Sequence, residues 1–183
     1  MTDLSIVNVV GGGALGRELR LEEAYADFPH DDLEYNAEDF SGLIIRYHEP
    51  KGTVTLFSSG KYSIAGAKSA TEAWEVNSKF VHQMEEMLES AIPGSSFEIR
   101  HIVGKSDLGY ELELSQIAIA LGSMETEYEP EQFPGLFYQP TEEDWFCVLF
   151  SSGKVVYSGV KNREELESVH KSIQAKIRNL FDQ

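Results

Sequence analysis

The segment 38–68, EDFSGLIIRYHEPKGTVTLFSSGKYSIAGAK, returns at 131–161 as EQFPGLFYQPTEEDWFCVLFSSGKVVYSGVK. Phe40 aligns with Phe133, Phe57 with Phe150, and Ser58-Ser59-Gly60-Lys61 with Ser151-Ser152-Gly153-Lys154. The offset is constant, 133 − 40 = 150 − 57 = 93. The register continues without a gap in both directions: Ile6 meets Ile99, Val10 meets Val103, Leu15-Gly16 meets Leu108-Gly109, Tyr35 meets Tyr128 and Val76 meets Val169. Two copies are too few, and each too long, for a solenoid. The repeat therefore predicts one continuous sheet built from two halves, residues 1–94 and 95–183.

Apolar periodicity fills in each half. Residues 4–10 are β-branched and read as a strand ended by Gly11-Gly12-Gly13. Helical spacing follows over 19–28, with Leu21, Ala24, Tyr25 and Phe28 on one face. After Pro29-His30-Asp31-Asp32 and a short extended piece at 33–35 come strands at 41–47, 53–58 and 61–66, the last two joined at Ser59-Gly60. Ser69 is placed to cap a long helix whose stripe is Ala73, Val76, Phe80, Met84 and Met87. The second half repeats this plan: a strand at 97–103, a helix at 112–121, strands at 135–138, 146–151 and 154–159, and a helix at 164–180. That last helix carries the stripe Leu166, Val169, Ile173, Ile177 and Leu180. Consecutive strands on short turns imply an antiparallel sheet, so the fold class is α+β with helices covering one face.

The other face then needs a role. Thr53, Thr55 and Phe57 point one way, Val54 and Leu56 the other; Phe146, Val148 and Phe150 share a face in the second copy. If Leu56 and Leu149 lie under the helices, both phenylalanines stand on an uncovered apolar face of the kind that binds something. The opposite assignment, with Phe57 and Phe150 in the core, is about equally compatible with the pattern.

Other chemistry is poorly supported. Gly11-Gly12-Gly13-Ala14-Leu15-Gly16 matches a dinucleotide-binding pattern, but its repeat partner Gly104-Lys105-Ser106-Asp107-Leu108-Gly109 loses the middle glycine, and a strand meander contradicts a parallel plan. No His or Cys pair has metal-ligand spacing, and the single Cys147 falls within a strand. Ser-Ser-Gly-Lys sits in a hairpin and lacks a phosphate-loop glycine. Hence no catalytic residue, no metal and no cofactor are expected, and the chain does not read as an enzyme. The formal net charge of −16 predicts high solubility and weak nonspecific attraction to polyanions, and suits a salt-rich interior. With no membrane-spanning run and no signal-like N-terminus, a cytoplasmic protein without a membrane partner is expected.

The doubled F-x-G-L-x-x and F-S-S-G-K-x-x-x-x-G-x-K units, each preceded by an acidic Y-x-x-E-x-F segment, resemble the archaeal TATA-box-binding protein family over nearly the whole length. The resemblance implies a pseudo-twofold saddle: a curved antiparallel sheet on the DNA minor groove, with helices on the convex back. Phe40, Phe57, Phe133 and Phe150 correspond to residues that wedge between base steps. Asn8, Val10, His101, Val103, Thr55 and Val148 correspond to minor-groove contacts. Arg46, Lys61, Lys68, Lys154 and Lys161 correspond to phosphate contacts, and Glu129 and Glu131 to the meeting point with transcription factor B. The implied partners are double-stranded promoter DNA, transcription factor B and the RNA polymerase pre-initiation complex, in an archaeal, nucleoid-associated setting. Homodimerisation of the free protein through its apolar face is left open.

The chain departs from the family pattern at several points. His101 stands where a second asparagine is usual, and Gln139 where an arginine is. Thr141-Glu142-Glu143-Asp144 is an acidic loop, and Thr55, Ser63 and Ala65 are small or polar. These departures suggest a divergent member with a narrower promoter set. The alternative is a paralogue acting mainly as a protein-interaction module with weak DNA binding.

Overall fold

A computed structural model describes residues 4–181. Two compact units emerge, Asn8–Arg100 and a second comprising residues 4–7 with 101–181. The first strand, β1 (Ser5–Ala14), and its repeat β6 (Ser96–Asp107) each contribute to both units.

In the first unit the elements are α1 (Leu21–Asp27), β2 (Leu33–Glu34), β3 (Gly42–Tyr47), β4 (Gly52–Phe57), β5 (Lys61–Ala67) and α2 (Ala70–Leu88), with strands ordered β2-β3-β4-β5-β1. In the second they are α3 (Leu114–Leu121), β7 (Thr126–Glu127), β8 (Gly135–Tyr138), β9 (Phe146–Phe150), β10 (Lys154–Val160) and α4 (Arg163–Phe181), ordered β6-β10-β9-β8-β7. Within each unit the ladders are antiparallel, and their registers coincide under the shift of 93. Val9 pairs with Ala67 and Gly11 with Ile64; Ile102 pairs with Val160 and Gly104 with Tyr157. Each ladder slips between those two rungs, so even the β-bulge is repeated. The fold class is the expected one, α+β with an antiparallel sheet.

The expected strand end at Gly11-Gly12-Gly13 is corrected. β1 runs through all three glycines to Ala14. They are glycine because neighbours lie directly over the backbone: a Cβ on Gly11 would collide with the Phe97 ring, one on Gly12 with the Arg100 guanidinium, and one on Gly13 with Tyr62 and the Ser96 carbonyl. The run is a close-packing device and not a turn, which also removes the dinucleotide reading. β7 is a two-residue strand absent from the expected plan.

Both long helices start as the residues dictate. The Ser69 hydroxyl accepts from the Glu72 amide at 3.1 Å, and the repeat-matched Asn162 accepts through Oδ1 from the Glu165 amide at 2.9 Å. The α2 stripe Ala73, Val76, Phe80 and Met84 is wholly buried, with Val76, Phe80 and Met84 in one core cluster with Leu43, Val54, Leu56 and Ile64 and Met87 partly buried at its end. Leu166, Val169, Ile173 and Ile177 are buried on α4.

Candidate nucleic-acid interface

Burial along the hairpin strands decides which face is open. β4 alternates buried Val54 and Leu56 with half-buried Thr53, Thr55 and Phe57. In β9, Cys147 and Leu149 are buried while Phe146 and Phe150 are half-buried. The helices therefore take Leu56 and Leu149, and the phenylalanines stand on the uncovered face. The core assignment of Phe57 and Phe150 is excluded.

Each unit holds its aromatic pair in the same geometry. Phe40 is 45 % exposed and meets Phe57 edge-on at 6.1 Å and 67°; Phe133 is 40 % exposed and meets Phe150 at 6.0 Å and 62°. Two rings at this distance and tilt are an edge-to-face pair, favourable by about 0.5–1.5 kcal/mol beyond burial, so each ring props the other. Gly42 and Gly135 make room: a Cβ on either would press into the adjacent Phe40 or Phe133 ring. The backbone holds the pairs alike too. The Phe40 amide donates to the Asn36 carbonyl and the Phe133 amide to the Glu129 carbonyl, both at 2.9 Å. Gly60 and Gly153 close the hairpins at φ +75° and +86°, donating back to the Phe57 and Phe150 carbonyls at 2.8 and 2.9 Å.

The remaining sequence-nominated residues divide. Val10, His101, Val103 and Thr55 are half-buried on their strands. Asn8 is half-buried as well, but its Oδ1 accepts from the Gly66 amide at 2.7 Å, which orients the side chain and leaves the Nδ2 hydrogens to donate. Val148 is only 7 % exposed, directly across the ladder from Phe137, so the neighbouring aromatic covers it. Lys61, Lys68, Lys154 and Lys161 are exposed. Lys61 lies across the ladder from Ala14 whereas Lys154 lies across from Asp107. Arg46 is engaged by Glu34 and, at 3.5 Å, by Asp32; these carboxylates raise its already high pKa. Glu129 and Glu131 are exposed just ahead of Phe133, with the Glu129 carboxylate accepting from Gln132.

The acidic loop 141–144 is exposed throughout and anchored at its start. Glu125 accepts from the Thr141 amide at 3.0 Å and hydroxyl at 3.1 Å, and these hydrogen bonds lower the carboxyl pKa. Gln139 is exposed beside that loop.

Sequence reasoning put Phe146 on the face of Phe150 but named neither it nor Phe137 as a site residue. Phe137 is 37 % exposed and lies tilted at 5.2 Å from Phe133; Phe146 lies 6.5 Å from Phe137. The strand alternation at Phe146 and the aromatic at Phe137 were both visible, but only ladder register brings them together with Phe133 and Phe150. The first unit has Ile44 and Thr53 at the matched positions.

Among the described residues no group of three His, Cys, Asp or Glu could hold a metal ion, and no helix is long and apolar enough to cross a membrane. Cys147 is buried, which pushes its thiol up to about 12 and leaves it inert at neutral pH.

Comparison with known proteins gives one consistent result. The family model for "Transcription factor TFIID (or TATA-binding protein, TBP)" matches residues 3–87 and again 96–180, one match per repeat. The chain is 38 % identical to the TATA-box-binding protein B of Halobacterium salinarum, covering 97 % of this chain and 94 % of that one. It is 35 % identical to the TATA-box-binding protein of Archaeoglobus fulgidus, with coverage of 97 % and 98 %. The solved Methanococcus jannaschii TBP superposes with a TM-score of 0.80 at 36 % identity, covering 96 % of this chain and 98 % of that one. With both repeats matched and the fold shared, the chain belongs to the TATA-binding-protein family, whose members are DNA-binding transcription factors and not enzymes.

Proposed function

We propose that the protein is a transcription initiation factor that binds A·T-rich promoter DNA through the minor groove, bends it, and presents Glu129 and Glu131 to transcription factor B, leading to polymerase recruitment. The observation that carries this reading is the matched pair of exposed phenylalanine couples, Phe40–Phe57 and Phe133–Phe150, one on the open face of each unit. An apolar ring pair on an otherwise uncovered sheet can enter a base step, and unstacking a step costs a few kcal/mol that added contact offsets. Flexible TA steps lower that cost. Asn8 supplies a donor for the acceptors of A·T pairs. Lys61, Lys68, Lys154 and Lys161 supply rim cations that position without reading sequence.

With a formal charge of −16, bulk electrostatics opposes the approach to DNA. Apolar wedging replaces it, and acidic rims hold cations in the complex. Affinity then stays level or rises from dilute to molar potassium chloride, opposite to the steep loss expected of counterion release. The test is a fluorescence bending assay on an A·T-rich duplex across that salt range, with and without transcription factor B. Phe57→Ala and Phe150→Ala are expected to abolish binding. A wild-type affinity that collapses with salt sinks the wedging account.

A second reading, a protein-interaction module with weak DNA binding, is favoured by the exposed acidic loop 141–144 and by an Arg46 already occupied with Glu34 and Asp32. It predicts no duplex binding at any salt concentration, together with retained capture of transcription factor B through Glu129 and Glu131. The same open aromatic face is where a homodimer of the free protein would form.

A further inference from the structure

The two open faces have the same wedges but different surfaces between them. In the first unit Thr53, Thr55 and Ser63 are half-buried on that face, and none of their hydroxyls enters a side-chain hydrogen bond among the described residues. The repeat-matched positions in the second unit are Phe146, Val148 and Val156, and Ile44 is matched by Phe137. There the rings of Phe150, Phe133, Phe137 and Phe146 follow one another at 6.0, 5.2 and 6.5 Å, a continuous aromatic strip with Val148 covered beside it. Three free hydroxyls in the first unit are thus matched by three apolar side chains at the same ladder positions of the second, while Ser158, in place of Ala65, lies across the ladder from Phe146.

We infer that Phe137 and Phe146 are specificity-determining residues and that the two halves of the binding site are read differently. The half under the second unit must be all A·T, while the half under the first tolerates a G·C pair. This rests on the minor-groove reading above. In that groove a G·C pair differs from A·T by the guanine amino donor. A threonine or serine hydroxyl can accept from that amino group or donate to an A·T acceptor. A phenylalanine strip can do neither, and pressing it over a guanine amino group strips that donor of water without replacement. The protein should therefore orient itself, placing its second unit over whichever half lacks guanine.

The experiment uses three duplexes of one length: all A·T, one G·C pair in a single half, and one G·C pair in each half. A DNA-cleaving reagent attached to Ser152→Cys, exposed in the second unit, reports which end that unit occupies; Cys147 is buried and stays unlabelled. Expected results are a loss of at most about threefold in affinity for the singly substituted duplex, and at least tenfold for the doubly substituted one. Cleavage should fall overwhelmingly at the guanine-free end. The double variant Phe137→Ile, Phe146→Thr copies the first unit's residues; it should lose the orientation preference and shrink the penalty on the doubly substituted duplex. The reciprocal Ile44→Phe, Thr53→Phe variant should make a single G·C pair as costly as two, and it tests the idea even if the first variant does not fold. Even cleavage at both ends by the otherwise wild-type protein, or preference kept by the Phe137→Ile, Phe146→Thr variant, overturns the inference while leaving minor-groove binding intact. Absence of binding to the all-A·T duplex overturns the underlying reading and this one with it.

Discussion

The buried layers of the two units and their open faces diverge to different degrees. Beneath the helices, Leu43, Leu56 and Val76 recur as Leu136, Leu149 and Val169, and where residues differ they exchange volume. Tyr62 and Phe80, large in the first core, become Val155 and Ile173; the space returns as Tyr138, Tyr157 and Leu166 in place of Ile45, Ile64 and Ala73. On the open faces the differences compensate only in small part. Thr53, Thr55 and Ser63 become Phe146, Val148 and Val156, while the smaller exchange of Ala65 for Ser158 runs the other way. A core has to be filled at fixed density, so a change at one site constrains its neighbours. An open face answers to a ligand instead, and drift between two copies there records what each copy touches.

Substitutions can break this comparison, beginning with the largest effect. Gly60 and Gly153 hold positive φ, and a Cβ on either would land on a carbonyl oxygen, that of Arg17 or Tyr110. Gly60→Val and Gly153→Val should each destabilise by more than about 3 kcal/mol, from strain plus clash. Denaturant melts in molar potassium chloride read this, and a loss under about 1 kcal/mol at either site would show the hairpins are not equivalent supports. Phe80→Ala should cost about 3–5 kcal/mol and Ile173→Ala about 2–5 kcal/mol by the same melts, the difference tracking the cavity each leaves. Ser69→Ala and Asn162→Ala should each cost about 1 kcal/mol, since each deletes one helix cap.

The smallest and most selective effect concerns pH. The Tyr157 hydroxyl lies 2.7 Å from His170 Nδ1 and 3.0 Å from the Ser106 hydroxyl, and His170 Nε2 is buried without a partner. Burial holds the His170 pKa below its ordinary value, with the Lys171 charge a lesser cause. The unfolded chain therefore takes up a proton at higher pH than the folded one. Stability contributed by neutral His170 is present above about pH 6.5 and falls as pH drops below it. The matched first-unit residue is Asn77, which accepts from Tyr62 at 2.6 Å and does not titrate. Melting temperatures at pH 7.5 and 5.5 should show a drop that His170→Asn reduces; an unchanged drop would assign it to other groups.

The repeat, the strand and helix sequence, the Ser69 cap and the helix stripes were legible because apolar periodicity and a doubled motif report local geometry directly. The glycine run was misread: its residues look like a turn until Phe97, Arg100 and Tyr62, distant in sequence, are seen lying over them. The facing of Phe57 and Phe150 was undecidable for a related reason. Period-two alternation says which residues share a face, but not which face a helix will cover. Phe146 was placed on the face of Phe150, but its grouping with Phe137 and Phe133 was not legible, because that nearness is set by ladder register, to which neither strand alone testifies.

The chain by itself therefore determined the duplicated α+β plan and the family, since these depend on spacing and residue type along the sequence. The tertiary structure alone decided which sheet face stays open, that Val148 is shielded while Phe40, Phe57, Phe133 and Phe150 stand on that face, and that the second unit's aromatics join into one strip. These are properties of neighbours across a ladder, and a ladder pairs residues that no local pattern connects.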